Sequence, residues 1–325
     1  MTIPLTSSEV ASLWMQFITD SLDVCIKKHV LATVKDNDIR SIYNQAMRSS
    51  ENHLEKIRFF FEAEQYPIPI GFTDEDVDTS APPLYDDVFW LHYLYTMSIY
   101  GMDGYSLAIA AATRGDILQY YQECIKDSLN FLNQSLHLML EKGIFVRPAS
   151  LHPSDSAEYI KKQHFLAGWV GEKRPLNAIE MSNLTVNLQK SSLSKALVMG
   201  FSQVSKNQKV KDYFGRLIKV ADSHCQLFYS VLSESDIPSP PSMEDKIIPS
   251  NQSPFSDKLK MFHTCQLINA AIAYYGTALS VSMRRDLGAH YTASIAKLLI
   301  LAEDGMNLMI DHEWMEQPPQ AVNRK

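Results

Sequence analysis

The sequence predicts an all-α protein built as two tandem four-helix bundles, and three observations carry that prediction. Apolar residues recur at spacings of three and four along most of the chain, as in Val10, Leu13, Trp14, Phe17, Ser21 and Cys25, the mark of one face of a 3.6-residue helix. The chain also repeats itself. Thr6 and Glu9 stand 171 residues before Asn177 and Glu180, and the same offset relates Leu13 to Leu184, His53 to His224, Pro67 to Pro238, Asp86 to Asp257 and His92 to His263. The offset then becomes 170, relating Tyr105 to Tyr275, Arg114 to Arg284, Asp116 to Asp286 and Tyr121 to Tyr291. Finally, glycine is sparse: 12 residues stand where average usage would give about 23, which disfavours Gly-rich nucleotide loops and turn-dense β folds.

The first helix is expected over about residues 8–35, opened by the capping pattern Thr6-x-x-Glu9. The second, over about 38–65, is anchored by Ile39, Tyr43, Ala46, Leu54, Ile57, Phe60 and Phe61 and must stop before Pro67 and Pro69. The third spans about 85–113, where Gly101, Gly104, Ala108 and Ala111 are expected to let it approach its neighbours closely. The fourth spans about 116–142, with Asp116 as its expected cap and Gly143 closing it. The second copy follows the same plan. The expected organisation is a first bundle over 1–147, an apolar linker over 148–175 docked between the bundles, and a second bundle over 176–325. Tyr159, Phe165, Leu166, Trp169 and Val170 make that linker too apolar for a free tether.

Connection lengths set the wiring. Short turns near Asp36-Asn37 and Arg114-Gly115 make each helix pair antiparallel. The Pro-rich, acidic stretch 66–84 can reach roughly 60 Å, whereas a helix of this length is only about 42 Å long. A single long crossover between the second and third helices follows, which is ferritin-like topology.

Composition excludes several function classes. Apolar residues make up 46% of the chain and charged residues 21%, as in ordinary globular proteins. The net charge of −7 divides into −9 over residues 1–151 and +2 over 152–325, so neither half is a basic footprint for nucleic acid. The N-terminus shows no secretory pattern, and a cytoplasmic location is expected. The stretch Val88–Ala112 is apolar but carries His92 and Asp103 without basic flanks, so no membrane span is expected. Cys25, Cys124, Cys225 and Cys265 lie in apolar helical patterns without CxxC spacing and read as reduced, buried thiols.

A ferritin-like bundle raises the question of a di-metal carboxylate centre, which takes a Glu from each of two helices and Glu-x-x-His from the other two. No Glu-x-x-His occurs in this chain. Asp20 and Asp23 correspond to Ser191 and Ser194, and Glu123 and Asp127 to Ala293 and Lys297, so the second copy cannot assemble a four-carboxylate cage. No cofactor and no catalytic residue are expected. The recurring histidines His53, His92, His224 and His263 are the remaining metal candidates, for iron, manganese or zinc, although His53 and His92 fall at different heights on parallel helices. The acidic run Asp74-Glu-Asp76-Val-Asp78 lacks the glycine and bidentate Glu of a calcium loop. Cys25 with His29 at i, i+4 is a weak nucleophile and base pair.

The run Phe165-Leu-Ala-Gly-Trp-Val-Gly-Glu-Lys-Arg-Pro-Leu-Asn177, with Pro254-Phe-Ser-Asp-Lys, Met283-Arg-Arg-Asp-Leu287, Ala302-Glu-Asp-Gly-Met-Asn-Leu-Met-Ile310 and Trp314-Met-Glu-Gln-Pro-Pro319, resembles a tandem-repeat family of unknown function. That family occurs mainly in spore-forming bacilli, is grouped with the ferritin-like superfamily and is distantly similar to the spore coat protein F domain. The resemblance covers essentially the whole chain. It implies the fold and a link to sporulation or stress, and it brings no catalytic residues. The resulting expectation is a non-enzymatic structural or interaction protein with protein partners or self-association. The alternative is a metal-binding oxidoreductase using a non-standard set such as His53, His92 and acids of the fourth helix.

Overall fold

The computed structural model describes residues 3–153, 156–168 and 173–321, and among them it contains eight α-helices and no extended sheet. The first four are α1 (Ser7–Thr33), α2 (Asn37–Ala63), α3 (Asp87–Ala111) and α4 (Gly115–Glu141). The second four are α5 (Ala178–Val204), α6 (Gln208–Ser233), α7 (Asp257–Val281) and α8 (Arg285–Asp311). Their bounds fall within about two residues of the expected ones in the first copy.

Local chemistry sets those bounds. Thr6 and Asn177 cap α1 and α5 in full capping boxes with Glu9 and Glu180. Asp36 and Asn207 cap α2 and α6 by accepting from two backbone N–H groups each. Helices α2, α4, α6 and α8 are followed by a left-handed residue, respectively Gln65, Gly143, Asp236 and Glu313. Only one of those four is glycine, so three helices close at some conformational cost. The capping role expected of Asp116 is not observed. Helix α4 starts one residue earlier, Arg114 occupies its cap position without a side-chain capping bond, and Asp116 is held by the Arg114 guanidinium.

Hydrogen bonds between helix ends fix the wiring of the first bundle. Glu9 at the start of α1 accepts from Thr113 N and Arg114 N at the α3–α4 corner, so α1 and α3 are antiparallel. Asp87 at the start of α3 accepts from Lys35 N and Asp36 N at the α1–α2 corner. Lys142 at the end of α4 pairs with Asp36 at the start of α2. Helices α2 and α3 therefore begin at the same end, and the segment between them returns along the bundle. Leu13, Phe17, Ile26, Ile57, Phe89, Trp90, Ile117 and Tyr121 are all buried at its centre. Full burial of each such side chain contributes about 1.5–3 kcal/mol.

The crossover is held from two directions. Phe72 N donates to Ser21 Oγ on α1, at 2.9 Å. Gly71 has φ +63°, and a Cβ there would lie 2.5 Å from Ser21 Oγ, so both its conformation and its space demand glycine. Residues distant in sequence hold its other side. Asp78 N donates to Pro254 O, Ser256 Oγ to Asp76 Oδ1 and Lys258 Nζ to Gly71 O. The Glu316 carboxylate accepts from Ile70 N and Gly71 N. The compact unit containing the first bundle accordingly comprises Met1–Phe145, Ile248–His263 and Met309–Lys325, and the other comprises Val146–Ile247 and Thr264–Leu308.

In that second unit Glu180 repeats the role of Glu9, accepting from Met283 N and Arg284 N at the α7–α8 corner. The linker is anchored there in part. Arg174 stacks over Phe165, 4.1 Å from the ring centroid, and Gly168 lies against the Asp286 carboxylate, where no Cβ would fit. Tyr159 is exposed, and Trp169 and Val170 lie outside the described residues. The small residues of α3 divide: Gly101 abuts Ser128 of α4, but Gly104 faces open space. Among the described residues no helix is long and apolar enough to cross a membrane.

Candidate functional site

A dense polar cluster lies in the first bundle around His53. Helix α1 contributes Gln16 and Asp20, α2 contributes Ser49, His53 and Lys56, and α4 contributes Tyr120, Cys124 and Asp127, each set at spacings of three or four. His53 is buried, with Asp20 Oδ2 3.3 Å from its Nδ1 and Asp127 Oδ2 3.6 Å from its Nε2. Ser49 Oγ donates to Asp127 at 2.5 Å, and Gln16 Nε2 donates to Asp20 at 3.1 Å. Tyr105 and Tyr120 meet the imidazole edge-on. Burial opposes charge on this ring, but the carboxylates of Asp127 and Asp20, with Cys124 near, outweigh it and raise its pKa to about 12. His53 is therefore an imidazolium held between two carboxylates. Asp127 is lowered in turn, chiefly by its bond to His53.

This donor set does not fit a di-metal carboxylate centre. Each ring nitrogen faces its own carboxylate, so the acids lie on opposite sides of the imidazole rather than converging on one point. Among the described residues no group of three or more His, Cys, Asp or Glu side chains is placed to hold a metal ion.

His224, the counterpart on α6, is also buried, but its neighbours differ. Tyr275 Oη lies 3.3 Å from its Nδ1 and 2.9 Å from Ser191 Oγ, the residue that replaces Asp20. Burial, reinforced by Lys297 in the place of Asp127, lowers its pKa to about 4. His224 is thus neutral where His53 is charged.

The other two histidines are not brought to these sites. His92 lies near the start of α3, about 16 Å nearer that end of the bundle than His53 on parallel α2. His263 pairs with Tyr93 Oη at 2.8 Å, and burial lowers its pKa to about 4. Cys25 and His29 form no nucleophile and base pair. Cys25 Sγ donates to Thr73 O, burial pushes its thiol up to about 12, and His29 packs edge-on against Phe255. Within the acidic run, Asp74–Asp76 forms a short 3₁₀ turn capped by Thr73, and Asp74, Asp76 and Asp78 are engaged by Lys28, Ser256 and Ser80.

The carboxylates that recur between copies act as fasteners. Burial would raise Glu9, but backbone donors Thr6, Thr113 and Arg114 bring it to about 2. Glu180 is held by the same kind of donors and also by a bidentate Arg174, with both N–O distances 2.8 Å. Sequence reasoning found these caps but missed Lys56, Tyr120 and Ser49, which line or brace the His53 cluster. Their signal is the i, i+4, i+7 series on α2 and α4.

A family model described as "Protein of unknown function (DUF3231)" matches residues 1–156 and again 164–325. No curated relative matches the chain. A solved structure described as that of a candidate spore coat protein from Bacillus halodurans is similar at 17% identity and a TM-score of 0.41, covering 47% of this chain and 98% of its own.

Proposed function

Because the chain belongs to the DUF3231 family of proteins of unknown function, we propose its role from its own geometry: a non-enzymatic structural or interaction protein of two ferritin-like bundles, working in the cytoplasm. One observation carries this reading. The buried ionisable groups of the first bundle spend their interactions on the scaffold, His53 on two carboxylates from neighbouring helices and Glu9 on a distant corner. Charges matched in this way hold helices in register. Leu299 and Ile300, exposed on α8, support a protein-facing role. A sporulation or stress context rests on the sequence resemblance alone.

Elemental analysis of protein purified without chelator tests the proposal. The expected result is iron, manganese and zinc far below one per chain, unchanged by His53→Ala. Stoichiometric metal that disappears on His53→Ala or His224→Ala would establish the metal-binding alternative instead.

A further inference from the structure

We infer that the outward face of α8 is a self-association surface, and that its occupant is α8 of a second molecule of this chain lying antiparallel to it. The inference rests on the proposed reading of the chain as an interaction protein and names the partner. Thr292, Ala296, Leu299, Glu303 and Met306 recur along α8 at alternate spacings of four and three, the seam of a helix pair. Ala293, Ile300 and Asn307 flank that row at intervals of seven. All of them are exposed, Leu299 by 54% and Ile300 by 63%, and all belong to the unit of Val146–Ile247 and Thr264–Leu308. The stripe carries one charge, Glu303, where a solvated helix face is charged and polar along its length.

Size and charge select the occupant. The small side chains lie in the N-terminal half of the stripe and the large ones in its C-terminal half. An antiparallel twofold axis at Leu299 and Ile300 therefore sets Met306 against the partner's Ala293, Glu303 against the partner's Ala296 and Asn307 against the partner's Thr292, bulk against gap each time. Leu299 meets the partner's Ile300 at the centre, and every one of these pairs is made twice. The same arrangement brings Glu303 beside the partner's Lys297, an exposed residue at the edge of the stripe, so its one charge is matched from across the interface. Among the described residues neither Lys297 nor Glu303 forms a salt bridge within its own chain. A parallel pairing would instead set Met306 against the partner's Met306 and Glu303 against the partner's Glu303. The first repeat supplies the contrast, since in α4 Glu123, Lys126 and Asn130 stand where α8 has Ala293, Ala296 and Ile300. From Thr292 to Asn307 the stripe is about 22 Å long and one helix wide. That places the interface below about 1,200 Å² and makes the dimer a reversible one, in the micromolar range.

The test is sedimentation equilibrium of the full chain from about 5 to about 500 µM, which brackets that range. The expected result is a mass that climbs from one chain toward two. Ile300→Asp sets two carboxylates near the axis and should leave a monomer at every concentration. Lys297→Glu and Glu303→Lys each place like charges opposite one another and should weaken the dimer about fivefold, and the double variant should recover the wild-type affinity. All three positions are exposed, and far-UV circular dichroism will show that the variants keep their helices. A wild-type chain that stays monomeric throughout would overturn the proposal, as would a dimer indifferent to Ile300→Asp. Single charge variants that bind as tightly as wild type would overturn the antiparallel pairing. Failure here is separable from failure of the broader reading: a metal-free monomer sinks the dimer alone, and a metal-loaded dimer sinks the non-enzymatic reading alone.

Discussion

His53 and His224 are the same position in two copies of one helix pair, both buried, yet one is an imidazolium and the other a neutral ring. The difference lies in residues that arrive from other helices. Asp20 and Asp127 flank His53, whereas Ser191, Tyr275 and Lys297 surround His224. A duplicated scaffold can thus keep its backbone and invert the charge at its centre by changing two neighbours. At that point the first copy holds a charged ring between two carboxylates, and the second holds a neutral ring near a lysine.

The corners offer the largest contrast to test. Glu180→Ala removes the bidentate partner of a partly buried Arg174 as well as the acceptor for the backbone donors of two corners, and should cost about 3–4 kcal/mol in chemical denaturation. Glu9→Ala leaves orphaned backbone N–H groups and the Thr6 and Thr113 hydroxyls, with no charged partner among them, and should cost about 2–3 kcal/mol. Equal losses would show that Arg174 adds nothing.

Next comes the histidine pair itself. Asp20→Ser gives the first bundle the second's residue, and should destabilise it by about 2 kcal/mol while moving His53 down towards its ordinary range. Ser191→Asp should move His224 upward. Histidine ring NMR reads both, and a His53 that titrates unchanged in Asp20→Ser would break the comparison.

The two rings should also respond oppositely to pH. His53 is raised, so its contribution is full below pH 6.5 and is lost as pH climbs towards about 12. His224 is lowered, so its contribution is full above pH 6.5 and is lost as pH falls towards about 4. Hydrogen exchange at α2 and α6 amides should therefore accelerate in opposite directions from neutrality.

The smallest effects come from glycine. Gly71→Ala meets both a left-handed backbone and Ser21, and should cost about 1–2 kcal/mol. Gly104→Ala, in open space on α3, should instead stabilise by about 0.5–1 kcal/mol, visible as a raised thermal midpoint.

How far the sequence was legible follows the range of the interactions. The helices, the Thr6 and Asn177 caps and the long crossover were readable because periodicity, capping and loop length are local. Asp116 misled because it is a side chain suited to capping at the start of a helical pattern, while a neighbouring Arg114 competes for the same carboxylate. The His53 cluster was only half visible. Asp20 and Asp127 were noticed as acids that the second copy lost, but their meeting across His53 depends on the register of three helices, which no spacing within one helix encodes. Tyr159 shows the opposite failure, an aromatic in an apolar stretch that nevertheless lies in solvent.

The hold of Glu316 on Ile70 and Gly71 also has a consequence in time. The carboxylate that fastens the first crossover is made 246 residues after the amide it fastens. At ordinary rates of synthesis that is a delay of roughly 12–50 s. The N-terminal bundle therefore emerges early but is finished late, with its crossover N–H groups left to water, or to a chaperone, until the last helix has left the ribosome.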